Sequence, residues 1–144
     1  MAHVVLEARL SAAGIAPDVV VTSAGTGDWH VGGPMDARAA QTLRGGGYDP
    51  SRHRARQIDR DWFATHDLLL AMDGSNLADL RALAPDLEAL DQVALFRAWD
   101  PRGGPDAAVP DPYWGGADGF TDVLATVERT ADVLVRALLD RPCR

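Results

Sequence analysis

Short, wholly apolar runs alternate with helical patterns along this 144-residue chain, and no other feature constrains its fold as tightly. Val19–Val21, Leu68–Met72 (LLLAM) and Val93–Phe96 (VALF) are too short for helices and carry no polar residue. A strand with one wet face alternates polar and apolar side chains, so an uninterrupted run needs cover on both faces. The segments between them supply that cover. Residues 1–13 read as a helix, with Met1, Val4, Val5, Ala8 and Ala12 at three- and four-residue spacings and Gly14 as its stop. Residues 36–44 read as a second helix, capped by Asp36 and ended by Gly45–Gly47. A short helix is expected around Asp59–Thr65. Ser75 is the candidate cap of a helix that carries Leu77, Leu80 and Leu83 and ends near Pro85. Phe120, Val123, Leu124, Val127, Ala131, Leu134 and Leu138 make one stripe on the last helix. The pattern predicts an α/β domain, a parallel sheet with helices on both faces. Ligands of such folds bind where loops leave the carboxyl ends of the strands. Three loops meet that description: SAGTGDWH from Ser23, MDGSN from Met72, and the Pro-, Gly- and Asp-rich stretch Asp100–Gly116.

Composition narrows the chemistry. Hydrophobic residues make up 47%, enough for one domain over residues 1–144 with a real core. No apolar run approaches a membrane span, and Glu7 and Arg9 interrupt the apolar N-terminus where a secretory signal would stand. A cytoplasmic location with no membrane partner is expected. The net charge of −7 repels nucleic acid. All 14 residues counted as Lys or Arg are arginine, which excludes a Walker A phosphate loop and Schiff-base catalysis. Cys143 is the only cysteine, so the chain has no internal disulfide, CxxC pair or zinc cluster. The histidines His3, His30 and His66 show no metal-ligand spacing.

Asp111 is the foremost chemical candidate. It lies in VPDPYWGG, residues 109–116, between two prolines that restrict the backbone on either side. Neighbouring aromatics that desolvate the carboxyl would suit it to donate a proton. The same residues also make an ordinary turn in which Asp bonds backbone amides. Trp29, in a glycine-rich loop, either lines a pocket for a planar ring or folds back on the core. HRARQ, residues 53–57, either forms an anion patch around His53, Arg54 and Arg56 or is a solvated face.

Taken in order, SAGTGDWHVGGPMDARA, GYDPSRHRARQ, HDLLLAMDGSNLADL, FRAWDP, VPDPYWGG and the final helix resemble the low-molecular-weight protein tyrosine phosphatases across almost the whole chain. The resemblance implies a flavodoxin-like, four-stranded parallel sheet. It implies that Asp111 is the general acid for the leaving tyrosyl oxygen. Trp29, Tyr113 and Trp114 would wall the slot for the phosphorylated ring, and Ser23 and His53 would brace the phosphate-binding loop. The substrate would be a phosphotyrosine protein or an aryl phosphate, with no metal or organic cofactor. One departure is large: the family's Cys-x5-Arg-Ser-Pro loop, placed directly after its first strand, has no counterpart in these residues. Met1–Ala2–His3–Val4–Val5 match the family's residues just past that loop. The sequence thus reads as an N-terminally truncated member that lacks the first strand, the nucleophile and the phosphate-binding Arg. Such a chain is expected to be inactive, to leave Val19–Val21 unpartnered, and to be poorly stable or rearranged. A non-catalytic binding module is the alternative. An arsenate reductase relative is a further one, but Cys143 alone cannot supply its redox cysteines.

Overall fold

The computed structural model describes residues 1–27, 31–104, 106–112 and 117–140. Helices α1 (Ala2–Ala12), α2 (Ala37–Gly45), α3 (Trp62–Thr65), α4 (Gly74–Leu83) and α5 (Ala117–Leu139) surround strands β1 (Leu69–Ala71) and β2 (Val93–Leu95). The strands pair in parallel, with Leu69 opposite Val93 and Ala71 opposite Leu95. Joining parallel strands requires a crossover, and α4 makes it.

Strand β1 is covered on both faces, fully at Leu69 and Ala71 and partly at Leu70, while Leu68 at the start of the apolar run is 37% exposed. Leu69 and Ala71 enter a cluster with Phe63, Leu80, Ala89 and Leu95. Leu70 and Met72 point the other way and pack on Val5, Leu10, Leu43, Phe96 and the α5 stripe. Val127 and Ala131, at 1% and 0% exposure, form the centre of that stripe.

Boundaries are set by local chemistry. Asp36 caps α2, accepting from the amides of Arg38 (2.9 Å) and Ala39 (3.2 Å). Gly14, at φ +78°, comes after α1 where a side chain would be strained. The cap of α4 is Asp73, whose carboxylate accepts from Asn76 N at 2.7 Å. The helix therefore starts before Ser75, the residue expected to cap it, because the carboxylate already stands three residues ahead of a free amide. On α1 the buried residues are Val5, Leu6 and Leu10, while Ala8 and Ala12 are exposed. The larger side chains decide which face turns inward, because burial gain scales with apolar area.

The sheet among the described residues has two strands, not the four that the resemblance implies. Residues 19–24 join no ladder, although Val19 is extended and Val19 and Val21 pack on the core. Val20 is 84% exposed, as expected of a β-branched run with no neighbouring strand. Gly25 makes an isolated parallel bridge to Gln57.

Candidate functional site

A cavity of about 360 Å³ opens at the carboxyl end of β1. Met72, Asp73 and Asn76 form one wall, and the Val109–Pro112 stretch that contains Asp111 forms another. Met1 and Ala2 at the start of α1, Asp36 and Ala39 at the start of α2, and Phe120 in the first turn of α5 complete most of the rim. The amino ends of α1, α2, α4 and α5 therefore open on one space. Peptide dipoles place partial positive charge at helix amino ends, where anions are stabilised. The Arg38 guanidinium lies 4.9 Å from the ring centroid of Phe120 and 3.6 Å from the Asp36 carboxylate, which balances part of its charge beside the rim. Asp36 and Asp73 neutralise part of that field at α2 and α4. Helix α1 has no side-chain cap and no acidic residue in its first turn.

Asp111 is exposed and borders this cavity. Two of the three loops expected to share a site do so: the loop after β1 and the loop after β2. None of the described residues of the Ser23 loop lines the cavity, but Ser23 reaches the same end of the molecule through His3. His3 Nε2 lies 3.0 Å from the Glu7 carboxylate, and His3 Nδ1 lies 2.8 Å from Ser23 Oγ. Because Glu7 can only accept when ionised, a neutral His3 carries its proton on Nε2 and takes the Ser23 hydroxyl hydrogen on Nδ1. His53 stands edge-on to the His3 ring, with 6.0 Å between centroids. Its Nδ1 is buried with no hydrogen-bond partner among the described residues. Burial, reinforced by nearby positive charge that includes Arg54 and Arg56, holds the His53 imidazole below its ordinary pKa. Ser23 and His53 thus converge on the first turn of α1.

The remaining ring candidates, Trp29, Tyr113 and Trp114, lie outside the described residues. Both shoulders of the Trp29 loop are tied down: Gly25 exchanges backbone hydrogen bonds with Arg56 and Ile58, and Ala55 with Gly32 and Gly33. Arg54 and Arg56 are exposed, while His53 between that loop and α1 is half-buried.

Sequence reasoning missed His3, Arg38 and Phe120 as parts of this region. Phe120 reads as one more residue of an apolar stripe. His3 has no histidine partner at ligand spacing; besides Glu7, one helical turn on, its partners are Ser23 and His53, far along the chain. Among the described residues no group of three His, Cys, Asp or Glu side chains is placed to hold a metal. No helix among them is long and apolar enough to cross a membrane.

Comparison with known proteins adds an independent line. Residues 1–142 match the family described as low molecular weight phosphotyrosine protein phosphatase. A low molecular weight protein-tyrosine-phosphatase of Streptomyces coelicolor is 42% identical over 142 residues, which span 98% of this chain and 86% of the relative. Low molecular weight protein-tyrosine phosphatase A of Mycobacterium bovis is 43% identical over 129 residues, or 89% of this chain and 76% of that one. The crystal structure of a low molecular weight phosphotyrosine phosphatase from Vibrio cholerae superposes with a TM-score of 0.88 at 30% identity, covering 99% of this chain and 89% of the other.

Proposed function

We propose, since the chain belongs to the low molecular weight phosphotyrosine protein phosphatase family, that Asp111 is the general acid for hydrolysis of phosphotyrosine in proteins or of small aryl phosphates. As the bond from phosphorus to the tyrosyl oxygen breaks, the Asp111 carboxyl passes its proton to that oxygen, and a neutral phenol leaves instead of a phenolate. The observation that carries this reading is the placement of Asp111 on a cavity ringed by helix amino ends, a setting that favours a phosphate dianion. Trp29, Tyr113 and Trp114 are proposed as the walls for the aromatic ring. Ser23 and His53 are proposed as braces behind the phosphate site, a role consistent with their convergence on His3.

The reaction also needs a nucleophile. These 144 residues contain no Cys-x5-Arg loop, and the only cysteine is Cys143. Asp111 by itself has no covalent intermediate to assist, so this chain unaided is proposed to be inactive. The test compares the 144-residue chain with a version joined upstream to a strand and a Cys-x5-Arg loop, using an aryl phosphate. Turnover is expected only in the second. There, Asp111→Asn should lower it by about 10²–10⁴-fold. A loss of less than about threefold in that protein would remove the acid role from Asp111.

A further inference from the structure

We propose that Arg97 is a positioning residue for Asp111, clamping the end of the loop that carries it; the inference rests on the reading of Asp111 as general acid. Arg97 lies in the 3₁₀ turn Phe96–Trp99, directly after β2. Its Nε donates to Asp100 Oδ2 at 2.9 Å, and its Nη1 donates to the Ala108 carbonyl at 2.7 Å. One guanidinium thus joins the start of the loop to its end. The adjacent peptide unit is held as well, because Val109 N donates to the Met72 carbonyl at 2.7 Å, just past β1.

Two residues beyond that double anchor stands Asp111. In an ordinary loop, two residues are enough to uncouple a side chain from an upstream contact. Here Pro110 and Pro112 fix their own φ angles and restrict Val109 and Asp111 to extended backbone. Few soft torsions remain, so a shift at Ala108 carries through to the carboxylate. On the α5 side Pro112 lies beside Gly119 in the first turn of the helix, at a spacing that a Cβ on Gly119 would fill at 3.6 Å.

Charge balance alone does not account for Arg97. The Asp100 side chain is fully buried, and Arg129 on α5 already meets both of its oxygens, at 2.6 and 2.8 Å. The Arg102 amide supplies a further bond at 2.9 Å. What Arg97 adds is a donor aimed at the loop main chain, held in direction by its second bond to a fixed carboxylate. A planar fork can make both contacts at once, whereas an ammonium cannot hold that geometry.

The test uses the full chain with Arg97→Met and Arg97→Lys and measures amide hydrogen exchange, which needs no turnover. In Arg97→Met, exchange at Val109 should accelerate about tenfold or more beyond any change at the α5 amides of Val127 and Ala131. Arg97→Lys keeps the charge and is the variant that guards against failure to fold. In it the α5 amides should return to wild-type rates while Val109 stays fast, and the Asp111 carboxyl carbon resonance should differ from wild type in both variants. Equal acceleration at Val109 and α5 in both variants would show that Arg97 serves overall stability only and overturn the proposal. The catalytic arm uses the loop-bearing version. Arg97→Lys should lower kcat/KM for phenyl phosphate and spare dinitrophenyl phosphate, whose leaving group needs no proton. Equal losses on both substrates would overturn the positioning role. Should Asp111→Asn itself leave leaving-group dependence unchanged, the acid assignment fails first and the proposal falls with it, while the exchange result still reports on the clamp.

Discussion

Replacing Arg129 by methionine tests the electrostatic centre of this fold. Asp100 has no exposed side-chain surface, and Arg129 is 24% exposed. Among the described residues the carboxylate receives four donors, from Arg129 Nε and Nη2, Arg97 Nε and the Arg102 amide. Removing one partner of a buried ion pair costs about 3–5 kcal/mol when the other charge is left unpaired. Here Arg97 and an amide remain, so the expected cost is lower, about 2–3 kcal/mol. With a urea m value of about 1–3 kcal/mol/M, the unfolding midpoint should fall by roughly 0.7–3 M. The pH dependence supplies a second, independent check. Hydrogen bonds from Arg129 hold the Asp100 carboxyl well below the usual carboxylate range. A depressed folded-state pKa stabilises the protein above the unfolded value of about 3.9, and that stabilisation is lost as pH falls toward the folded value. The gap between wild type and Arg129→Met should therefore be full at neutral pH and narrow below about pH 4. A midpoint shift worth less than about 1 kcal/mol at pH 7, or a gap that does not change in acid, would refute the assignment of a buried, charge-paired carboxylate.

Single contacts give further expected outcomes. Gly103→Ala would place a Cβ 2.9 Å from the Arg97 carbonyl oxygen and 3.0 Å from Ala107 Cβ, so chemical denaturation should show a loss of about 1–3 kcal/mol. His53 should titrate below the ordinary histidine value in an NMR pH series, because burial disfavours its charged form. As its folded-state pKa is lowered, stability should rise with pH up to about 6.5, and His53→Gln should flatten that rise.

The two described strands and the five helices were legible because each carries a local signal. An apolar run without interruption reports cover on both faces where a neighbouring strand is present, as Leu69–Ala71 shows, whereas Val19–Val21 joins no ladder and leaves Val20 exposed. An Asp ahead of a helical pattern reports a cap, as Asp36 does. The Ser75 expectation erred because Asp73 and Ser75 carry similar local signals, and only the path of the chain out of β1 decides between them. The inward face of α1 was misjudged for a related reason. Spacing admits several stripes, and contact with α5 selects the one that contains Leu6 and Leu10.

The sequence by itself determined the fold class, the family and the candidacy of Asp111, because periodicity, caps, prolines and ordered motifs are local and survive reading in one dimension. Tertiary structure alone decided that helix amino ends from four parts of the chain share one cavity. It also decided that Ser23 and His53 meet at His3, and that Arg97, Asp100 and Arg129 form one network. Those arrangements depend on distances between residues far apart in the chain, as His3 and His53 are. Local pattern carries little information about them; the packing of α1 on α5, and of α5 on the turn after β2, brings these parts of the chain together.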